Sequence, residues 1–198
     1  MAMDPWDSRL ARRLVRPLRH TAIHPNHVTT ASLVAGVGAA ALFARGTPDA
    51  LAGALFVVSA LLDHADGELA RMSGKTSEFG QAYDRIADLI VKLSVFTGMG
   101  VGASGGSAGW WPALAGAAAG VAVVAIFSMR SAMLRRRGPI ALRQPGAGGF
   151  EIEDILYGVA PVAWAGLTAP FILAAGVGAP IFALWIARQW WQDSTRAS

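Results

Sequence analysis

Residues 63–88 read DHADGELARMSGKTSEFGQAYDRIAD, a run of polar and charged residues set between two apolar stretches. Asp63 and Asp66 are three apart, and Gly67, Ala70 and Arg71 continue from them, so at helical spacing all five fall along one side of a helix. Asp84 and Asp88 are four apart, one above the other on a second helix, with Gly80 one turn earlier. The residues between Arg71 and Gly80 suffice for a short turn and two helix ends. Two helices can therefore lie side by side with four carboxylates facing each other.

Outward from this stretch the chain turns apolar. It has 198 residues, 54% hydrophobic and 15% charged, where a soluble domain carries about 25% charged residues. A spanning helix needs about 20 mostly apolar residues. Six candidate spans follow from hydropathy: 28–43, 50–62, 86–101, 110–127, 155–175 and 179–191. The second and third reach full length only by running into the polar stretch, which puts its carboxylates at or just inside the membrane surface. Charged residues are costly there and mark a functional site. The expected fold is an all-α integral membrane bundle of six helices in one domain over 1–198. Segment 5–20, with Trp6, Leu10, Leu14 and Leu18 at helical spacing and Arg12, Arg13, Arg16 and Arg19 between them, reads as an amphipathic interfacial helix or as a basic topogenic tail.

Basic residues set the orientation. Arg9, Arg12, Arg13, Arg16 and Arg19 precede the first span, Arg71, Lys75 and Arg85 lie between the second and third, and Arg130, Arg135, Arg136, Arg137 and Arg143 lie at or after the end of the fourth. The opposite loops hold little besides Arg45. The excess of basic residues then places both termini and the polar stretch in the cytoplasm. Interleaving of the arginines with spanning segments argues against nucleic acid as a partner. The absence of cysteine excludes disulfides, thiolate metal sites and cysteine nucleophiles. The Arg-rich start lacks the compact apolar core of a cleaved signal peptide.

Four carboxylates in a low-dielectric site repel one another and call for cations. Hard divalent ions with oxygen ligands answer that need, and Mg²⁺, with Mn²⁺ as a substitute, characteristically takes phosphate oxygens as further ligands. Small residues beside the carboxylates leave room for a substrate against the backbone, and Arg71 offers a fork suited to phosphate. The pattern is that of a site for a metal-bound pyrophosphate.

Asp63, Asp66, Gly67, Ala70, Arg71, Gly80, Asp84 and Asp88 together spell D-x₂-D-G-x₂-A-R-x₈-G-x₃-D-x₃-D, without gap or substitution. The chain thereby resembles the CDP-alcohol phosphotransferase family, and Pro25-Asn26-His27-Val28-Thr29 is similar to a segment that the family carries before its first span. The resemblance implies a six-helix membrane enzyme, commonly a homodimer, in which one or two Mg²⁺ ions sit on Asp63, Asp66, Asp84 and Asp88. It implies that Gly67, Ala70, Arg71 and Gly80 line the pocket for the CDP group. Asp88 would be the base that takes the acceptor's proton, with CMP as leaving group. The donor it points to is CDP-diacylglycerol, in phospholipid synthesis at a bacterial plasma membrane. A soluble CDP-alcohol with a lipid or polyol-phosphate acceptor is the second reading, and a divalent-cation transporter a third.

Several residues carry two readings. Asn26 is a cap for the first span or a substrate contact. His64 neighbours two aspartates but points about 100° away from Asp63 around a helix. Lys75 and Thr76 are a solvated turn or touch the nucleotide. Arg130 is a topological charge or a phosphate anchor for the acceptor. Glu151 to Asp154 suit a helix start or an acidic acceptor site. The tryptophans near span ends suit interfacial belts.

Overall fold

The structure, a computed structural model, describes residues 6–46, 49–137 and 158–195. Seven α-helices carry nearly all of them, with no strand among the described residues: α1 (Trp6–Val15), α2 (Pro25–Ala44), α3 (Asp49–Ser73), α4 (Glu78–Gly102), α5 (Trp111–Arg137), α6 (Val159–Trp164) and α7 (Thr168–Thr195). A 3₁₀ turn over Arg16–His20 continues α1.

Four of these helices, α2, α3, α5 and α7, are long and apolar enough to cross a membrane. At 1.5 Å per residue the 25 residues of α4 reach equally far, but Glu78, Asp84, Arg85, Asp88 and Lys92 lower its apolar character. The expected extension of the second and third spans through the polar stretch is what forms: α3 runs on to Ser73 and α4 starts at Glu78. Gly74, at φ +68°, makes the turn between them, and Ser77 caps α4 by accepting from the Gly80 amide at 2.9 Å.

The expected boundary between the fifth and sixth spans is corrected. Helix α7 runs unbroken through 175–179, with Pro180 inside it. The turn falls earlier, at 165–167, where Gly166 has φ +69°. The described part of the fifth span is thus only α6, and 155–157 lie outside the described residues.

The interior is built of small residues. Ala39, Ala40, Ala52 and Ala119 are buried around Phe43, Phe56, Val95, Phe96 and Met99. Close helix approach explains this composition. A methyl group on Gly98 would stand 2.3 Å from the Ala40 carbonyl oxygen, and one on Gly100 would stand 2.9 Å from the Cα of Gly116. The large apolar side chains point the other way: Val34, Leu51, Val58, Leu93, Val121, Val177, Ile181 and Leu184 are exposed. An apolar exterior over a small-residue interior suits lipid as the surrounding medium. These features make the protein an integral membrane protein.

Helix α2 organises the bundle. It packs broadly on both α3 and α4, while α5 joins α4 to α7. Helices α3 and α4 touch each other at only a few positions, so the expected side-by-side packing is corrected. The motif helices stand on either side of α2 and leave a gap between them. Ser32 and Ser59 clamp α2 to α3 reciprocally, each hydroxyl donating to the other's backbone carbonyl at 2.9 and 2.8 Å.

Helix α1 lies on α3 through Ala11 and Val15, which are buried with Val28, Ala65 and Leu69. Leu18 packs against the same cluster, while Leu10 and Leu14 are exposed.

Candidate active site

The gap between α3 and α4 opens into a cavity of about 230 Å³, bounded by α2, α3, α4 and α5. Asp63 and His64 face it from α3, Arg85, Asp88 and Lys92 from α4, and Ser128 and Ser131 from α5. The four motif carboxylates form one electrostatic group. Asp63 interacts with Asp88, Asp84 and Asp66, and Asp66 and Asp84 act on each other. Asp66 is buried, and Asp63, Asp84 and Asp88 are half-buried. Among the described residues no three of these side chains stand close enough to form a finished metal cage. The donor set nevertheless fits a hard divalent cation: four carboxylates share one low-dielectric gap, with a single ammonium, that of Lys92, in contact with one of them.

The segment 25–29 serves this site. Thr29, buried on α2, donates its hydroxyl hydrogen to Asp66. Asn26 lies against Gly80, where a methyl group would stand 3.1 Å from its side-chain oxygen and 3.0 Å from the Ser77 hydroxyl. The cap of α2 is His24, whose Nδ1 accepts from the Asn26 amide at 3.3 Å while His27 Nδ1 accepts from the His24 amide. The capping role expected of Asn26 therefore belongs to His24.

On α3, Gly67 and the Arg71 guanidinium are neighbours, since a methyl group on Gly67 would meet it at 3.6 Å. Arg71 is exposed and donates to Glu68 at 2.9 Å. Glu68, buried beside Gly67, also accepts from Arg12 of α1 at 3.1 Å. Ala70 is half-buried on the same helix. His64 lies on the cavity wall, its Nδ1 bonded to the Ala60 carbonyl oxygen at 2.9 Å. Lys75, half-buried, does not line the cavity. Its ammonium donates to the backbone oxygens of Thr21 and Ile23 at 3.1 and 3.3 Å, tying the α3–α4 turn to the start of α2.

Arg130 sits on α5 between the cavity serines in sequence but does not line the cavity. The side chains of Arg135, Arg136 and Arg137, and all of 138–157 with its Glu151 to Asp154 cluster, lie outside what is described.

Thr29 stands out in the sequence only as the end of the 25–29 segment, without its role, and two residues of the site went unread there. Glu68 carries no signal until its partners are known. Lys92 did carry one, as a lysine inside an otherwise apolar span. It is 7% exposed, its ammonium meets Asp88, and it lies 4.4 Å from the centre of the Phe127 ring.

The candidate site is thus a pair of aspartate-bearing helices in a membrane bundle, with Arg71 beside Gly67 on one of them. Residues 22–191 match the model of the CDP-alcohol phosphatidyltransferase family, and the chain belongs to that family. Among curated proteins it is similar to a CDP-diacylglycerol--glycerol-3-phosphate 3-phosphatidyltransferase of Cereibacter sphaeroides, with 38% identity over 80 residues. That stretch covers 37% of this chain and 36% of the relative, so the match spans about a third of each.

Proposed function

We propose that this protein transfers a phosphatidyl group from CDP-diacylglycerol to an acceptor alcohol, releasing CMP, at the cytoplasmic face of a bacterial plasma membrane. The observation that carries this reading is the carboxylate-lined gap between α3 and α4, with Arg71 beside Gly67 on its α3 side. Family membership supports the reaction class, and the relative's name supports a lipid donor.

Asp63, Asp66, Asp84 and Asp88 would hold Mg²⁺, which neutralises pyrophosphate charge in such reactions. Thr29 orients Asp66 from α2. Arg71 pairs with a donor phosphate, and the absence of a side chain at Gly67 lets the nucleotide approach the helix. Asp88, on the cavity wall, takes the proton from the acceptor hydroxyl. The acceptor oxygen then bonds to the phosphorus bearing the diacylglycerol, the bond from that phosphorus to the CMP oxygen breaks, and CMP leaves. Exposed Leu10 and Leu14, with Arg13 and Arg16 exposed beside them, suit α1 to the anionic membrane surface where the donor lies.

The test is CMP release from purified protein in detergent with Mg²⁺. CDP-diacylglycerol, CDP-choline, CDP-ethanolamine and CDP-inositol are each offered against glycerol 3-phosphate, inositol, inositol phosphate, serine, choline and diacylglycerol. Metal-dependent CMP from a CDP-diacylglycerol pair, abolished by Asp84→Asn, is the expected result. Turnover with only a soluble CDP-alcohol would replace the donor, and metal flux without nucleotide binding would replace the enzyme with a transporter.

A further inference from the structure

Lys92 stands one turn beyond Asp88 on α4 and is buried. Burying a cation is costly unless its surroundings compensate, and here they do so in part. Its ammonium donates to Asp88, and the Phe127 ring of α5 faces it at 4.4 Å. An ammonium has three N–H donors, and Lys92 lines the same cavity as Asp88, together with Arg85 and the hydroxyls of Ser128 and Ser131.

The consequence is geometric and rests on the proposed function. An acceptor whose hydroxyl lies at Asp88 must extend into this cavity, because Asp88 and Lys92 share its wall. The rest of the acceptor then meets the Lys92 ammonium, which already touches the Asp88 carboxylate and so lies within reach of a short carbon skeleton. Two cations, Lys92 and Arg85, and two carboxylates, Asp63 and Asp88, line the cavity. In the proposed function both carboxylates are engaged by metal and by the reacting hydroxyl, which leaves the cations to the acceptor. A cationic headgroup is repelled there, a neutral polyol gains only hydroxyl contacts, and an anionic group gains charge-assisted hydrogen bonds.

We propose that Lys92 is the specificity-determining residue of the acceptor cavity and that it selects an alcohol carrying a phosphate group.

The experiment compares wild type, Lys92→Met and Lys92→Arg in Mg²⁺-dependent CMP release from CDP-diacylglycerol. The acceptors are glycerol 3-phosphate against glycerol, and inositol phosphate against inositol. The expected result is a wild-type preference for the phosphorylated partner of a pair. Lys92→Met should raise KM for that partner about tenfold or more, as loss of a charge-assisted hydrogen bond predicts, with the donor KM unmoved. Lys92→Arg should retain the preference, and it keeps the test decisive if the methionine variant does not fold. Wild-type preference for the neutral partner of each pair overturns the proposal while leaving the reaction class intact. So does a Lys92→Met variant that loses kcat equally with every acceptor at an unchanged KM ratio, because Lys92 then serves Asp88 alone. Absence of CMP release from wild type with every acceptor and donor removes the proposed function itself, and this inference with it.

Discussion

Asp66 cannot be understood from α3 alone. Its carboxylate is buried, and the hydroxyl that holds it comes from Thr29, 37 residues earlier on α2. Groups that orient a metal ligand typically govern affinity or activity by about 10–100-fold when removed. Thr29→Val, which keeps the volume and the branching, should therefore weaken Mg²⁺ activation of CMP release within that range and leave the fold intact; an unchanged Mg²⁺ dependence would show that the contact is only packing. Asp88 has a different role in the proposed reaction. Asp88→Asn keeps shape and loses the proton acceptor, so turnover should fall about 10²–10⁴-fold while CDP-alcohol binding persists. Near-normal turnover in that variant would remove Asp88 as the base. These two residues also mark what sequence exposes at this scale. Asp63, Asp66, Asp84 and Asp88 were legible because three- and four-residue spacing fixes a shared helix face. Thr29 was visible only as the end of the 25–29 segment, and its hold on Asp66 was not legible because that contact is tertiary.

At the scale of elements, the Glu68 carboxylate joins α1 and α3 through two arginines. It is buried at the start of the last turns of α3, accepts from Arg12 of α1, and holds Arg71. A hydrogen bond to a charged group contributes about 1.5–3 kcal/mol when well formed, and exposure of both arginines reduces that toward the lower end. Glu68→Gln should release Arg71 from its position and raise the donor KM about 3–10-fold, with the acceptor KM unaffected. Equal changes in both constants would mean a general loss of structure instead. The glycines show why some element boundaries were misread. Gly176, Gly178 and Pro180 resemble a turn, yet α7 runs through them. Gly176 is there because a methyl group would come within 2.5 Å of Ala115 on α5; it is a crossing point of two helices. A proline inside a spanning helix is tolerated where neighbours satisfy the freed backbone group. The same crossing logic makes Gly98 sensitive. Gly98→Ala drives a methyl into the Ala40 carbonyl, which should cost about 1–3 kcal/mol and lower the thermal midpoint in detergent. Gly178→Ala, which meets nothing, should leave the midpoint in place; equal midpoints for the two variants would refute this account of the crossing.

For the whole molecule, the contacts sort the chain into two ends. One end gathers the carboxylate cluster, α1, the start of α2 and the turn between α3 and α4, through Thr29 to Asp66 and Lys75 to Thr21. The other gathers the starts of α3 and α7, where Thr168 donates to Asp49 at 2.5 Å and the Trp164 indole donates to the Ala50 carbonyl at 3.1 Å. Trp110 and Trp111 stack there at 5.0 Å, exposed. Arg12, Arg13, Arg16, Arg19, Arg71, Lys75 and Arg85 all lie at the first end, and Arg45 at the second. This division was readable from sequence because charge bias in short loops needs no tertiary knowledge; the separation of α3 from α4 was not, because it depends on how α2 packs between them. The bias predicts that the carboxylate end faces the cytoplasm, and the cysteine-free sequence makes that directly testable. Thr76, exposed in the α3–α4 turn, and Ser107, exposed between α4 and α5, each become the sole thiol when replaced by cysteine. In intact cells a membrane-impermeant maleimide should label Ser107→Cys from outside and Thr76→Cys only after permeabilisation. The reverse pattern would invert the orientation and place the active site away from cytoplasmic CDP-alcohols. Labelling of both from outside would mean that α4, with its buried Lys92, does not cross the membrane at all.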